Sequence, residues 1–283
     1  MPTTVEPLIS VITPTHNRRA LLEKKLRALA RPEVHGDIPF EAIVVLDNCT
    51  DDTLAFLESY VDETPYPLRW AETPGLHAAG ARNRGAALAY GKILLFSDDD
   101  AIPLANWLPA NAQAHEQSGV VAVSRLVLPP HLQHGATISG VQGWWVTSGA
   151  STSLEKTVFE QLGGYNETFA TYGGEDPELG WRLHQAGIQH AFVGDTALEH
   201  WDEHYEETLN QKAYAAGHAH VRVWKTHGNP RIAIALGVHP IVLGFKQLVL
   251  HQWCPLFTRS LPYRYEYYYA AGARDALREA ELA

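Results

Sequence analysis

Short apolar runs alternate with amphipathic stretches through the first hundred residues of the chain. Three runs of mainly apolar residues predict strands at 8–13, 40–46 and 92–96, and a short strand is predicted at 67–71. Between them, apolar residues recur at helical spacing, as in Leu22, Leu26 and Leu29. Strands that alternate with helices favour an α/β fold, with a mainly parallel, doubly wound sheet and helices on both faces.

The pattern becomes less regular after residue 102. It predicts a helix over 103–118, strands over 120–128, 145–153 and 188–193, and helices over 154–162 and after the glycine-rich loop at 173–177. Residues 203–283 have helical character and little strand character. We therefore expect one domain over 1–202, made of halves 1–102 and 103–202, and a C-terminal helical extension over 203–283.

Three adjacent carboxylates, Asp98, Asp99 and Asp100, follow the fourth predicted strand. Grouping three negative charges is costly unless a cation or hydrogen-bond donors lie opposite them. In open α/β sheets, ligands bind beyond the carboxyl ends of the strands, which is where the triplet lies. A metal site and a simple turn that caps the next helix explain the triplet equally well.

Polar side chains also follow the neighbouring predicted strands, and parallel topology brings them to the same edge. Asp47 is suited to accept hydrogen bonds from a base or ribose, Arg82 to meet phosphate, and a divalent ion on Asp100 to bridge a diphosphate. Each residue has a simpler explanation. Asp47 is in a sequence typical of a turn, Asn17 is suited to cap the first helix, and Arg82 is suited to be a solvated charge.

Composition narrows the classes of partner. The chain has 283 residues, 46% of them hydrophobic, and a formal net charge of -10, which argues against a nucleic-acid partner. Cys49 and Cys254 are its only cysteines, so neither a disulfide framework nor a thiolate zinc site is indicated. Residues 1–7 do not resemble a signal peptide, and we expect a cytoplasmic location.

The segment 232–257 is the most apolar part of the C-terminal region. His239, Pro240, Lys246 and His251 interrupt it, so it does not predict a transmembrane helix. It is suited either to pack against the main domain or to lie on a membrane surface. The tyrosines that follow resemble an interfacial belt as much as a dimer surface: Tyr263, Tyr265, Tyr267, Tyr268 and Tyr269.

Six segments resemble the family 2 glycosyltransferases, in the same order along the chain. They are SVITPTHNR (10–18), VVLDNCTDDT (44–53), ARNRG (81–85), FSDDD (96–100), GGYNETF (163–169) and GEDPELGWRL (174–183). The resemblance covers roughly the first two hundred residues. The chain departs from the family pattern at Leu46-Asp47, where many members have two acids.

The resemblance implies a GT-A fold and transfer of a sugar, with inversion, from a nucleotide diphosphate sugar to an acceptor hydroxyl. It implies that 1–102 is the nucleotide-binding half and 103–202 the acceptor-side half. Asp98 and Asp100 match the DxD element, with Asp98 facing ribose or sugar and Asp100 holding Mn²⁺ or Mg²⁺. The implied nucleotide-binding residues are Thr13, Pro14, Asn17, Asp47, Arg82, Asp98 and Asp99. Within the triplet, alternation predicts that Asp99 points away from the other two and tolerates replacement.

Asp176 matches the general base of the family, with Glu175 as the second choice. From the residues alone, Asp176 before a proline is better explained as a helix N-cap, and the resemblance favours the base; the two roles are compatible if the backbone and the acceptor meet different oxygens. The resemblance also suggests His200 as a metal ligand beside Asp98 and Asp100, with His204 as the alternative. Four aromatic residues are candidates to stack on sugar or acceptor, with core packing the default for at least half of them: Trp144, Trp145, Trp181 and Tyr172.

We therefore expect a metal-dependent inverting glycosyltransferase of polysaccharide or glycoconjugate synthesis. UDP-sugar is the default donor by family frequency, and the acceptor is a carbohydrate or a lipid-linked carbohydrate. The C-terminal extension would make a peripheral membrane contact or a homodimer. Two alternatives are a nucleotidyltransferase and a non-catalytic sugar-binding protein. The first normally has a glycine-rich loop after strand one, which 13–17 lacks.

Overall fold

A computed structural model describes the protein at residues 6–132, 137–138, 143–170, 172–257 and 260–282, with the side chains at 247, 250–257 and 281–282 left out. These residues contain a single eight-stranded sheet. Its strands are β1 (Ile9–Thr15), β2 (Phe40–Asp47), β3 (Leu68–Thr73), β4 (Ile93–Phe96), β5 (Ala101–Pro103), β6 (Val120–Val127), β7 (Thr152–Glu155) and β8 (Gln189–His200).

Helices cover the sheet and form the C-terminal region. They are α1 (Arg19–Leu29), α2 (Pro32–His35), α3 (Thr53–Tyr60), α4 (His77–Leu88), α5 (Trp107–Ala114), α6 (Lys156–Gln161), α7 (Glu175–Gln185), α8 (Tyr205–His227), α9 (Pro230–Ala235), α10 (Pro240–Phe257) and α11 (Leu261–Leu282). A short 3-10 helix spans Trp144–Val146. The predicted α/β class and the helical C-terminal region are confirmed.

The first half of the sheet is parallel, as the alternating pattern predicts. β1 pairs with β2 and β4, and β2 pairs with β3. The apolar runs suit this position because the strands of a parallel sheet are buried on both faces, and every residue of β2 and β4 is buried. The carboxyl ends of β1, β2 and β4 therefore meet at one edge of the sheet.

The second half of the sheet is mixed. β7 is antiparallel to both β4 and β6, β8 is parallel to β6, and β5 is antiparallel to β8. β5 was not predicted, because its three residues look like the start of the next helix. β8 continues past its predicted end at Val193 to His200, where it pairs with β5. It therefore carries His200 beside the acidic triplet.

The predicted strand over 145–153 is wrong for most of its length, because β7 begins only at Thr152. The preceding backbone packs against an arginine instead of a neighbouring strand. A Cβ added to Gly149 would lie 2.0 Å from the Cζ atom of Arg82. Only a glycine at this position leaves room for the guanidinium.

The C-terminal helices share a core with the second half of the domain. α8 and α11 approach closely, since a Cβ at Gly217 would lie 2.0 Å from the Tyr269 carbonyl oxygen, and one at Gly272 would lie 2.0 Å from that of Tyr214. Trp144 and Trp181 belong to the same apolar cluster as these helices. The extension is therefore packed onto the domain.

The interpretation of the tyrosine segment as a surface belt is wrong for Tyr269. It is 4% exposed, and its hydroxyl donates to the Leu236 carbonyl, whereas Tyr267 is 47% exposed. Exposed apolar side chains also lie on α10, at Ile241, Phe245 and Leu248. No helix in the described residues is long and apolar enough to cross a membrane.

Candidate active site

The acidic triplet forms a tight loop between β4 and β5. The Ser97 amide donates to the Ile12 carbonyl, which continues the pairing with β1, and the Ala101 amide donates back to the Asp98 carbonyl. Asp99 and Asp100 are buried, and Asp98 is partly buried. Each of the three carboxylates is paired with an arginine. Arginines therefore meet the requirement for positive charge beside the triplet.

Asp98 is paired with Arg82 of α4. Arg82 Nη2 donates to Asp98 Oδ1 at 2.8 Å, and the Arg82 residue is 3% exposed. Burial would raise the pKa of Asp98, but the Arg82 charge prevails and lowers it below its ordinary value. Arg82 is thus a buried charge at the sheet edge, and the alternative of a solvated surface arginine is wrong.

Asp99 does not simply turn away from its neighbours. It accepts a hydrogen bond from Thr15 Oγ1 at 2.7 Å and one from Arg18 Nη1 at 3.2 Å. The same Arg18 nitrogen donates to Asp100 Oδ2 at 2.8 Å, so Arg18 joins the two acids. Burial, with the negative charge of Asp100, raises the pKa of Asp99 to about 7. Asp99 therefore anchors the acidic loop to the end of β1.

Asp100 and His200 are candidates to hold a divalent cation. Asp100 Oδ1 is buried, accepts no hydrogen bond within the described part of the chain, and lies 3.7 Å from His200 Nε2. A buried carboxylate oxygen near an imidazole nitrogen fits Mn²⁺ or Mg²⁺, which at nucleotide sites takes one or two protein ligands and completes its shell with phosphate.

The predicted set of three metal ligands does not assemble. Across the ranges that the structure describes, no three His, Cys, Asp or Glu side chains are grouped closely enough to hold a metal ion. Asp98 is drawn to Arg82 instead. The side chain of the alternative ligand His204 is 75% exposed and lies beside Glu207. The candidate ligands are therefore Asp100 and His200.

Arg82 also reaches the acids of α7. Its Nη1 lies 3.2 Å from Glu175 Oε1 and 3.6 Å from Asp176 Oδ1. One guanidinium thus bridges the acidic loop after β4 and the start of α7, which are far apart in the sequence.

Asp176 is not the N-cap of α7, because the helix begins at Glu175 and Gly174 occupies the cap position. Its Oδ1 atom is buried without a hydrogen bond among the described residues, while the side chain as a whole is 20% exposed. Burial, with the negative charge of Glu175, raises the pKa of Asp176 to about 7. A carboxylate with this pKa can accept a proton near neutral pH.

Asp47 accepts four hydrogen bonds from the end of β3 and the segment that follows it. The donors are Thr73 Oγ1 and the amides of Gly75, Leu76 and His77, at 2.6 to 3.1 Å. Asp47 is therefore firmly oriented at the strand edge and fixes the start of α4.

Asn17 links the exits of β1 and β2. It has a positive φ of 54° and accepts hydrogen bonds from the Thr50 and Asp51 amides. It is not the cap of α1, because Arg18 occupies that position. Thr13 and Pro14 lie within β1, and the loop predicted there begins later. The nucleotide residues inferred from the sequence thus lie at one sheet edge, with Thr13 almost fully buried.

The four aromatic candidates divide into two pairs. Trp144 and Trp181 are 5% and 4% exposed and pack edge to face, so they are core residues and the sugar-stacking prediction is wrong for them. Trp145 and Tyr172 are 46% and 56% exposed. Only this second pair offers aromatic surface to a ligand.

Sequence reasoning missed Lys25 and the pairing role of Arg18. Lys25 is 0% exposed, and its ammonium donates to Ser97 Oγ and to the carbonyls of Asp98 and Ala101. Burial lowers the pKa of Lys25 to about 7, against the opposing effect of the three aspartates. A signal was present, because position 25 lies on the apolar stripe of α1 that Leu22, Leu26 and Leu29 form.

The family model described as glycosyl transferase family 2 matches residues 10–162, more than half of the chain and every strand of the parallel half. The chain belongs to glycosyl transferase family 2. A second model, the N-terminal domain of galactosyltransferase, matches residues 131–207 of this family 2 protein. The two matches together span the acidic loop, the β8 histidine and the α7 acids.

Curated relatives of this family 2 protein include validoxylamine A glucosyltransferase of Streptomyces hygroscopicus subsp. limoneus. It is 31% identical over 222 residues, which cover 64% of this chain and 49% of the relative. The O-antigen biosynthesis protein RfbC of Myxococcus xanthus is 27% identical over 250 residues, which cover 77% of this chain and 19% of the relative. The chain spans about half the length of the glucosyltransferase and a smaller part of RfbC.

Solved structures confirm the GT-A fold. A mannosyltransferase of Pyrobaculum calidifontis in complex with GDP-Man and Mn²⁺ has a TM-score of 0.68 at 19% identity, covering 97% of this chain and 88% of the other. TarS of S. aureus in complex with UDP-GlcNAc has a TM-score of 0.57 at 17% identity, covering 96% and 92%. The C-terminal helices are included in both matches.

Proposed function

We propose that this family 2 protein transfers a sugar from a nucleotide diphosphate sugar to an acceptor hydroxyl, with inversion at the anomeric carbon. The observation that carries the proposal is the bridge at Arg82, which brings Asp98 of the acidic loop and Asp176 of α7 to one guanidinium. This geometry supports a donor-binding edge at the acidic loop with a candidate base beside the same guanidinium.

The donor would bind at the edge formed by the exits of β1, β2 and β4. Asp47 and the Thr13 to Asn17 segment, including Pro14, would bind the nucleoside, and Asp98 would face the ribose or sugar. Arg18 and Arg82 supply the positive charge that a diphosphate requires. UDP is our default nucleotide, and GDP is the main competitor because the neighbouring structures contain either one.

Asp100 and His200 would hold Mn²⁺ or Mg²⁺ against the diphosphate. The bound ion would supply Lewis acidity that stabilises the negative charge of the departing nucleoside diphosphate. Mn²⁺ in the P. calidifontis complex supports a divalent metal here. Asp98 remains a ligand candidate only if donor binding displaces it from Arg82.

Asp176 would act as the general base. In the proposed step, the acceptor oxygen forms a bond to the anomeric carbon, the bond from that carbon to the diphosphate oxygen breaks, and the hydroxyl proton passes to Asp176. Attack from the side opposite the leaving group inverts the anomeric configuration. Glu175 shares Arg82 with Asp176. The negative charge of Glu175 helps to raise the pKa of Asp176, which makes its carboxylate a stronger base.

The acceptor would be a carbohydrate or lipid-linked carbohydrate that enters over Trp145 and Tyr172, in polysaccharide or glycoconjugate synthesis. Residues 1–102 would form the nucleotide-binding half and 103–202 the acceptor-side half. The exposed apolar side chains of α10 support a peripheral contact at the cytoplasmic face of a membrane, with a homodimer through 203–283 as the other outcome.

A donor hydrolysis screen tests the proposal without knowledge of the acceptor. UDP-, GDP- and dTDP-sugars are incubated with the protein and Mn²⁺, and the released sugar is observed by proton NMR before its anomers equilibrate. We expect hydrolysis of at least one donor, with the first-formed anomer opposite to that of the donor. Release of the same anomer would contradict inversion, and no turnover together with no nucleotide binding would favour a non-catalytic sugar-binding protein.

A further inference from the structure

Lys25 occupies an unusual place in the core of the domain. It lies on the face of α1 that packs onto the sheet, between Leu22 and Leu29, and none of its surface is exposed. Its ammonium lies 5.7 Å from the centre of the Trp107 ring, which is also fully buried. A buried amine is costly unless hydrogen bonds replace its hydration. The partners of Lys25 therefore indicate what it does.

Three acceptors use all three protons of the ammonium. Lys25 Nζ donates to Ser97 Oγ at 2.6 Å, to the Asp98 carbonyl at 2.9 Å and to the Ala101 carbonyl at 2.9 Å. These atoms lie at the start and at the end of the acidic loop. In the described part of the chain, no carboxylate oxygen pairs with this ammonium. Lys25 thus holds the backbone of the loop and leaves the acidic side chains to other partners.

Three backbone hydrogen bonds also hold the loop. The Ala101 amide donates to the Asp98 carbonyl and closes it, the Ser97 amide ties its start to β1, and the Asp100 carbonyl accepts from the Trp201 amide. Lys25 is a second donor to the Asp98 carbonyl and joins it to the Ala101 carbonyl. The directions of the Asp98 and Asp100 side chains depend on this stretch of backbone, because each carboxylate is only one carbon from Cα.

We propose that Lys25 is a positioning residue, which holds the loop from Ser97 to Ala101 so that Asp98 and Asp100 face the donor diphosphate and its divalent cation. The inference rests on the proposed function. It predicts that loss of the Lys25 hydrogen bonds weakens the metal-dependent part of nucleotide binding, whereas base and ribose contacts at Asp47 remain. Groups that orient metal ligands typically contribute about 10- to 100-fold in metal affinity.

Calorimetry on Lys25→Met tests this inference, because methionine keeps much of the apolar stem and removes all three donors. Lys24→Met is the matched control, since Lys24 is the preceding residue of α1, is exposed, and has its ammonium over the Trp201 ring. UDP, GDP and dTDP are titrated into each protein, first without metal and then with Mn²⁺. The nucleotide that binds wild type most tightly is used for the comparison.

We expect Lys25→Met to keep its metal-free affinity within about twofold of wild type and to lose about tenfold or more of its affinity with Mn²⁺. Lys24→Met should match wild type in both titrations. Two results would overturn the positioning role and leave Lys25 a packing residue. Either Mn²⁺ increases the nucleotide affinity of Lys25→Met as much as that of wild type, or the variant loses the same factor of affinity with and without Mn²⁺.

Ser97→Ala keeps the inference testable if Lys25→Met does not fold. It removes one acceptor of Lys25 and leaves the two carbonyl contacts. We therefore expect a smaller loss of nucleotide affinity with Mn²⁺, about twofold to fivefold, and no loss without Mn²⁺. No selective loss in Ser97→Ala would then overturn the role. If wild type binds none of the nucleotides, the proposed function itself fails, which is apparent before any variant is compared.

Discussion

Arg82 Nη1 lies 3.6 Å from Asp176 Oδ1, close enough for the charges to attract but too far for a hydrogen bond. The same guanidinium donates to Asp98 at 2.8 Å. Asp176 therefore has a fixed cation nearby and still has an oxygen without a hydrogen-bond donor in the described structure. This relationship leads to the predictions that follow.

Asp176→Asn should abolish transfer and preserve donor binding. The amide cannot accept the acceptor proton, and general-base catalysis contributes about 10²- to 10⁴-fold. The measurement is donor turnover with acceptor, together with nucleotide affinity by calorimetry, which should stay within about twofold. Asp195→Asn, at an exposed position of β8, is the matched control. Full activity in Asp176→Asn would remove the residue from the mechanism.

The rate of transfer should depend on pH through Asp176. Burial raises the pKa of this carboxyl to about 7, so the base is protonated and inactive at lower pH. We expect the rate under saturating substrates to fall about tenfold per unit below pH 7 and to level off above it. A rate that stays constant from pH 5 to 8 would show that a different group accepts the proton.

Asp176→Asn should also stabilise the fold at neutral and higher pH. A carboxyl whose pKa rises on folding binds more protons in the native state between about pH 4 and 7, so its burial lowers the stability of wild type as the pH rises through that range. The asparagine variant lacks this penalty. Its free energy of unfolding in urea at pH 8 should exceed that of wild type by about 1.4 kcal/mol or more. At pH 4 the two proteins should be nearly equal.

Arg82→Gln should destabilise the protein and weaken donor binding. The substitution leaves Asp98 and Glu175 without their buried cation, and breaking a buried ion pair costs about 3–5 kcal/mol. Urea unfolding measures this loss. Arg84→Gln, two residues along α4 at an exposed position, is the control and should change stability by less than about 0.5 kcal/mol. Equal effects of the two substitutions would contradict the account of Arg82.

Asp99→Ala should lower nucleotide affinity in the presence of Mn²⁺, contrary to the sequence-based expectation that Asp99 tolerates replacement. The substitution removes the hydrogen bond from Thr15 Oγ1 and one of the two hydrogen bonds that Arg18 makes to the acidic loop. Thr15→Val removes only the first bond and should have a smaller effect in the same titration. An Asp99→Ala protein with wild-type affinity would support the original expectation.

The sequence predicted the parallel half of the sheet well, because β2 and β4 are buried on both faces and are apolar apart from Glu41 and Asp47 of β2. Parallel topology then implied that Asp47, Asp98 and Arg82 share an edge. The partners of these residues were not predictable. Nothing in the local pattern indicates that Arg82 meets both Asp98 and Asp176, which depends on α7 packing from the other half.

The region before β7 and the C-terminal helices were harder to predict for the same reason. The backbone at Gly149 is determined by the Arg82 guanidinium, and Tyr269 is buried by α8 and the Leu236 carbonyl. Both are tertiary contacts without a periodic signal. The position of Lys25 within the apolar stripe indicates burial, but its partners, Ser97 Oγ and the carbonyls of Asp98 and Ala101, are also tertiary contacts.

The most direct test of the central claim is calorimetry of wild type and Asp100→Asn with UDP, GDP and dTDP, with and without Mn²⁺. The account predicts that at least one nucleotide binds wild type, that Mn²⁺ increases its affinity about tenfold or more, and that Asp100→Asn loses most of this gain. Absence of binding by all three, or affinities in wild type that Mn²⁺ does not change, would contradict a metal-dependent nucleotide-sugar site at the acidic loop.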